Sequence, residues 1–167
     1  IEASIVLKTH NLDKANFIAH RIEANIKKQI TNVDRALIHF EPTQKETIIY
    51  ALPLKGADQT QISPHFGEAP YFAHIKVRVK DKKAIAQKII ENPFTQVDHG
   101  KGILVAEFLN KYSIDEVITK ESFEGKGPFY VFSNAAVENL QTDREKIEEA
   151  LEDIGIHFDP AELKTSQ

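Results

Sequence analysis

The chain has 167 residues, 41% of them apolar and 28% charged, with a formal charge of −4 at neutral pH. That balance suits one folded domain or two small ones, and it leaves no basic footprint for nucleic acid. Apolar runs are only a handful of residues long, far short of the ~20 needed for a membrane-spanning helix, and the N-terminus lacks the basic start and apolar core of a signal peptide.

Residues 1–7 alternate, with Ile1, Ala3, Ile5 and Leu7 on one face and Glu2, Ser4 and Val6 on the other, which predicts a half-buried strand. Asn11 or Asp13 can cap the helix that follows. Its apolar stripe is Ala15, Ile18, Ala19, Ile22 and Ile26, and Lys27 and Lys28 sit favourably at its negative end. Residues 34–40 alternate again and bury Ala36, Ile38 and Phe40 or the opposite set. Strand, helix, strand in that order predicts parallel strands joined by a right-handed crossover. So short a unit cannot bury enough apolar surface to stand alone; it needs upstream residues, the rest of the chain or a twin subunit. A chain that starts at Ile1 and contains no Met reads as an excerpt of a longer protein.

The polar run Pro42-Thr43-Gln44-Lys45-Glu46-Thr47 reads as a linker or tight turn. Residues 48–54 form an apolar strand, 55–64 a polar loop leading into His65-Phe66-Gly67, and 71–79 an alternating strand. For residues 84–90 periodicity leaves strand and short helix open, and Glu91-Asn92-Pro93 signals a turn. Gly100-Lys101-Gly102 opens a helix carrying Ile103, Leu104, Phe108 and Leu109; a short strand follows at 116–119. Gly125-Lys126-Gly127-Pro128 opens another helix to about residue 136, with a strand at 137–142 after it. Asp143 caps a charged helix that ends at Gly155, and residues 156–167 are expected to be a frayed tail. The expected organisation is therefore a unit at 1–42, a linker at 43–47, a domain at 48–155 and a tail. Its fold class is α+β to α/β, with a mixed sheet flanked by helices.

The absence of cysteine excludes disulfides and thiolate ligands alike, so any metal must be held by His, carboxylate, backbone or water. His39 and Glu41 lie two apart on a strand and project from the same face, where they can share one cation or simply be solvated. His20 falls on the flank of its helix, beside the apolar stripe, as a solvent-facing residue or a third ligand. His65 precedes Gly67 in a loop that Phe66 can anchor in the core, presenting the imidazole to solvent or ligand. The two Gly-Lys-Gly helix starts offer free amides and a lysine to an anion, or serve only as turns. Enzyme constellations are missing: no Cys nucleophile, no Gly-x-Ser-x-Gly elbow, and no carboxylate on the 48–54 strand for a two-metal nuclease.

Residues 1–42 resemble the C-terminal cytoplasmic domain of the cation diffusion facilitator family, through Ile18-Ala19-His20-Arg21-Ile22-Glu23 and Asp34-Arg35-Ala36-Leu37-Ile38-His39-Phe40-Glu41-Pro42. That resemblance implies part of a metallochaperone-like, ferredoxin-like β-α-β domain and a homodimer. It also implies a transmembrane portion upstream in the same chain, on the cytoplasmic side of which this unit would lie. His39 and Glu41 stand at the family's ligand positions for a divalent ion such as zinc or iron. The family's helix ligand falls on Asn16 and its first-strand ligand near Ala3, with His20 or His10 as substitutes.

Residues 47–155 resemble the dinitrogenase iron–molybdenum cofactor-binding family. The carrying pattern is Ile62-Ser63-Pro64-His65-Phe66-Gly67, then Ala69-Pro70-Tyr71-Phe72, Asn92-Pro93 and Gly127-Pro128. It implies a ribonuclease H-like α/β fold without nuclease activity, a loosely held iron–sulfur or iron–molybdenum-type cluster, and His65 as candidate ligand beside Phe66 and Gly67. Glu68 departs from the family, which often has a basic residue after the glycine. Taken together, the leading expectation is a non-enzymatic, regulatory metal-binding and dimerisation portion of a cation efflux transporter. The alternative is a soluble carrier or scaffold for a metal–sulfur cofactor.

Overall fold

A computed structural model describes residues 1–7, 12–42, 45–58 and 60–165. The chain divides into two compact units, Ile1–Lys45 and Glu46–Gln167.

In the first unit, strand β1 (Glu2–Leu7) pairs in parallel with β2 (Leu37–Pro42), and helix α1 (Leu12–Gln29) joins them. The small side chains Ala15 and Ala19 are buried on α1, and Ala36 and Ile38 are buried at β2. Of the two registers open to residues 34–40, burial selects the Ala36/Ile38 set, with Phe40 half-buried. Glu2, Ser4, Val6 and His39 occupy the exposed face. Asn11 and His10 lie outside the described residues, as do the side chains of Asp13 and Glu41.

The second unit is built on a six-stranded mixed sheet. In chain order its strands are β3 (Thr47–Leu54), β4 (Tyr71–Arg78), β5 (Lys83–Glu91), β6 (Glu116–Thr119), β7 (Glu138–Gln141) and β8 (Lys164–Thr165). Their spatial order is β7-β6-β3-β4-β5-β8. β3 is parallel to β6 and antiparallel to β4, and β6 is parallel to β7. This is the mixed α/β class that the sequence predicts. β5 settles the ambiguity at residues 84–90: the free edge of β4 needs backbone partners, and β5 supplies them along its whole length.

β3 is an almost unbroken apolar run because both its faces are covered. Ile48, Tyr50, Leu52 and Leu54 join a core with helix α4 (Ile147–Asp153), through Ile147, Ala150 and Leu151. Ala51 joins a second core with α2 (Lys101–Asn110) and α3 (Gly127–Ala135), through Val105, Ala106, Leu109 and Phe132. Burial, and after it the carboxylates of Glu116 and Asp115, hold the Tyr50 phenol protonated well above its ordinary pKa of 10.0.

Two expectations are corrected. Asp143 does not cap α4, whose N-cap is Lys146 without a side-chain cap bond. The backbone before the helix is taken up by pairing with the 60–62 segment: Ile62 N–H donates to Glu145 O at 2.8 Å and Ile147 N–H to Thr60 O at 3.1 Å. Nor are residues 156–165 a frayed tail. Ile156 is 3% exposed in the first core, Phe158 and Leu163 pack against that core, His157 bridges to Lys83, and β8 pairs with β5. A buried Ile at this position predicts that Ile156→Ala lowers unfolding stability by about 2–4 kcal/mol. Chemical denaturation measures this, and a loss near zero would mean that the segment is not docked.

Candidate functional site

Parallel strands β3, β6 and β7 end on one side of the sheet, and the chain leaves β3 toward β4 on one flank while β6 lies on the other. Ligands of open α/β sheets collect at such a switch, outside the carboxyl ends of the strands. A cleft of about 350 Å³ lies there. It is formed by the 65–68 loop, Asp98, the start of α2 (Gly100, Lys101, Gly102), Glu121 and Phe123 beyond β6, and Lys126 and Pro128 at the start of α3.

The loop that carries His65 is fixed from three sides. Phe66 is 2% exposed, and its ring stands edge-on to Phe72, Phe123 and Phe132 at 5.4, 4.8 and 5.7 Å between centroids. Ser63 Oγ donates to His65 O at 3.0 Å and accepts the His65 N–H at 3.3 Å. Buried Asn92 donates through Nδ2 to Ala69 O at 2.8 Å and Gly67 O at 3.3 Å, while its Oδ1 accepts the Phe94 N–H. With the neighbouring Phe sunk in the core, the His65 side chain is left 65% exposed at the cleft.

Glu121 faces this loop. It accepts the Phe66 N–H at 2.8 Å, Lys126 Nζ lies 3.1 Å from its other oxygen, and His65 Nδ1 lies 3.7 Å away. Neither α2 nor α3 has a side-chain cap at its N-terminus, and both starts line the cleft. Gly100 takes a left-handed φ of 73° there. The lining holds Lys101, Lys126 and His65 against Glu68, Asp98 and Glu121, a nearly balanced set in which the amides of the helix starts add positive potential.

His65, Phe66 and Gly67 thus meet in one place. The other three site candidates lie in the first unit: His39 Nε2 is 3.2 Å from Glu2 Oε1, and His20 Nδ1 is 3.5 Å from Glu23 Oε2. Among the described residues no group of three or more His, Asp or Glu side chains is placed to hold a metal ion. Glu121 is the site residue that sequence reasoning missed. No motif marks it, and its one legible signal is its position two residues beyond the end of a short buried strand.

The fold and cleft define a three-layer α/β domain with a crevice at the strand ends. Residues 48–155 match the family model described as dinitrogenase iron-molybdenum cofactor, and the chain belongs to that family. Among solved structures, the apo form of the orange protein from Desulfovibrio gigas superposes with a TM-score of 0.53 at 21% identity, covering 64% of this chain and 85% of that one. PH0822 superposes with a TM-score of 0.53 at 16% identity, over 67% of this chain and 98% of its own. At these identities the likeness is one of fold. No curated protein matches the chain by sequence.

Beside the cleft, Glu145 is gripped by Lys55 at 2.9 Å and by Lys120, which immediately precedes Glu121. The Lys120 and then the Lys55 hydrogen bonds pull its carboxyl from 4.5 down to about 2. The folded pKa lies below the unfolded one, so this contribution to stability is present above pH 4.5 and disappears as pH falls through about 2. Acid unfolding of Glu145→Gln, compared with the parent, is therefore expected to show a shallower dependence on pH between those limits. Identical profiles would mean that water screens the triad completely.

Proposed function

We propose that the 48–155 domain carries a preassembled metal–sulfur cluster of the iron–molybdenum or iron–sulfur type, bound through His65, and passes it on without catalysis. The observation that carries this reading is a single imidazole, fixed on a core-anchored loop, at a cleft between two uncapped helix starts in a chain without cysteine. Resident iron–sulfur clusters are held mainly by Cys thiolates. Here one nitrogen ligand, lysines and backbone amides suit a cargo that arrives with its own sulfides and can leave again. Family membership supports the same class of ligand. Anaerobic titration of the metal-free chain with isolated iron–molybdenum cofactor, or with a synthetic four-iron cluster, should give an optical change. His65→Ala should weaken that binding at least tenfold, about 1.4 kcal/mol; equal titrations of the two proteins would overturn the proposal.

For the first unit we infer a role in dimerisation, with the cation-efflux resemblance as a second reading of that unit alone. His39 supports it, because it stands on the exposed sheet face with the Glu2 carboxylate already beside it at 3.2 Å. Under that reading the unit would belong to a transporter; no helix among the described residues is long and apolar enough to cross a membrane. Calorimetry with zinc or iron(II), alongside sedimentation, tests it. His39→Ala with Glu41→Ala should abolish metal-driven association, and unchanged zinc affinity would remove the metal role.

A further inference from the structure

A neutral imidazole carries one N–H and one lone pair, and only the lone pair can bind a metal. What stands beside each ring nitrogen therefore decides whether a histidine is ready to ligate. At His65 the group facing Nδ1 is the Glu121 carboxylate, whose Oε1 lies 3.7 Å away. The same oxygen already accepts the Phe66 N–H at 2.8 Å, which ties the carboxylate to the residue that follows His65.

Glu121 is itself held. Thr119 Oγ1 donates to the Glu121 carbonyl at 2.7 Å, and Asn139 Nδ2 donates to Thr119 Oγ1 at 3.1 Å, which locks the residue to β6 and β7. Lys126 Nζ sits on its second oxygen at 3.1 Å. Two donors thus hold the carboxylate, the Phe66 N–H on one oxygen and Lys126 on the other. Lys126 also offsets the negative charge that Glu121 would otherwise turn toward an anionic cargo.

We propose that Glu121 is the positioning residue of the site: it holds the proton on His65 Nδ1 and so leaves the Nε2 lone pair free for the cluster. The inference rests on the carrier reading and deepens it. A carboxylate facing Nδ1 repels a lone pair there and favours N–H, the arrangement by which outer carboxylates orient metal-ligating histidines. Phe66 sets where the loop lies, and Glu121 sets which nitrogen is available.

The test is read on the metal-free full chain by long-range nitrogen–proton correlation spectroscopy of His65 with its ring neutral. The parent protein is expected to show the Nδ1–H tautomer, with Nε2 resonating as a bare acceptor. In Glu121→Ala and Glu121→Gln the signal should move toward the Nε2–H form, and affinity for the synthetic four-iron cluster should fall about 10- to 100-fold. An Nε2–H tautomer in the parent protein overturns the proposal whether or not either variant folds, and so does a tautomer unchanged by both substitutions. A parent protein that shows the Nδ1–H tautomer but does not titrate with the cluster would instead sink the carrier reading. Intact binding with an Nε2–H tautomer would sink this inference alone.

Discussion

The site depends on a contact made where side chains are absent. A Cβ on Gly67 would come within 3.0 Å of the Gly102 nitrogen, and one on Gly102 within 2.8 Å of Pro128 Cγ. The loop bearing His65, the start of α2 and the start of α3 therefore meet almost backbone to backbone. That approach brings two helix N-termini and their lysines to the same cleft as the imidazole. Bulkier residues would hold the three segments apart, and the cleft would open into a groove with no convergent donors.

The aromatic cluster beneath is the other half of the same construction. Phe66 cannot move without exposing a ring that touches Phe72, Phe123 and Phe132, so the residue before it is presented at nearly fixed height above the core. Polar bonds then refine what packing has placed. Ser63 and Asn92 hold the loop backbone, and Glu121 reaches across from the end of β6. Ser63 and Asn92 thus shape the cleft without lining it.

The cleft balances three carboxylates against two lysines, a histidine and the helix-start amides, so it lacks the strong positive field of a tight anion trap. No thiolate is available anywhere in the chain. Under the carrier reading, one nitrogen ligand and a nearly neutral surround suit a cargo that is released again.

Much of this was legible before any coordinates. The apolar run at 48–54, the alternation in β1 and β4, the Gly-Lys-Gly helix starts and the Ser63-Pro64-His65-Phe66-Gly67 loop are local patterns, and local patterns survive in a one-dimensional reading. What sequence could not settle depended on partners distant in the chain. Residues 84–90 become a strand because β4 has an open edge, residues 156–165 dock because a core formed by other elements has room for Ile156, and α4 starts late because residues 60–62 claim the backbone before it. By itself, then, the sequence determined the α/β class, the absence of thiolate chemistry and the histidine loop, since each follows from residue type and spacing. Only the tertiary structure decided that Glu121 faces His65, because 55 residues separate Glu121 from its nearest loop contact at Phe66 and only sheet pairing brings them together.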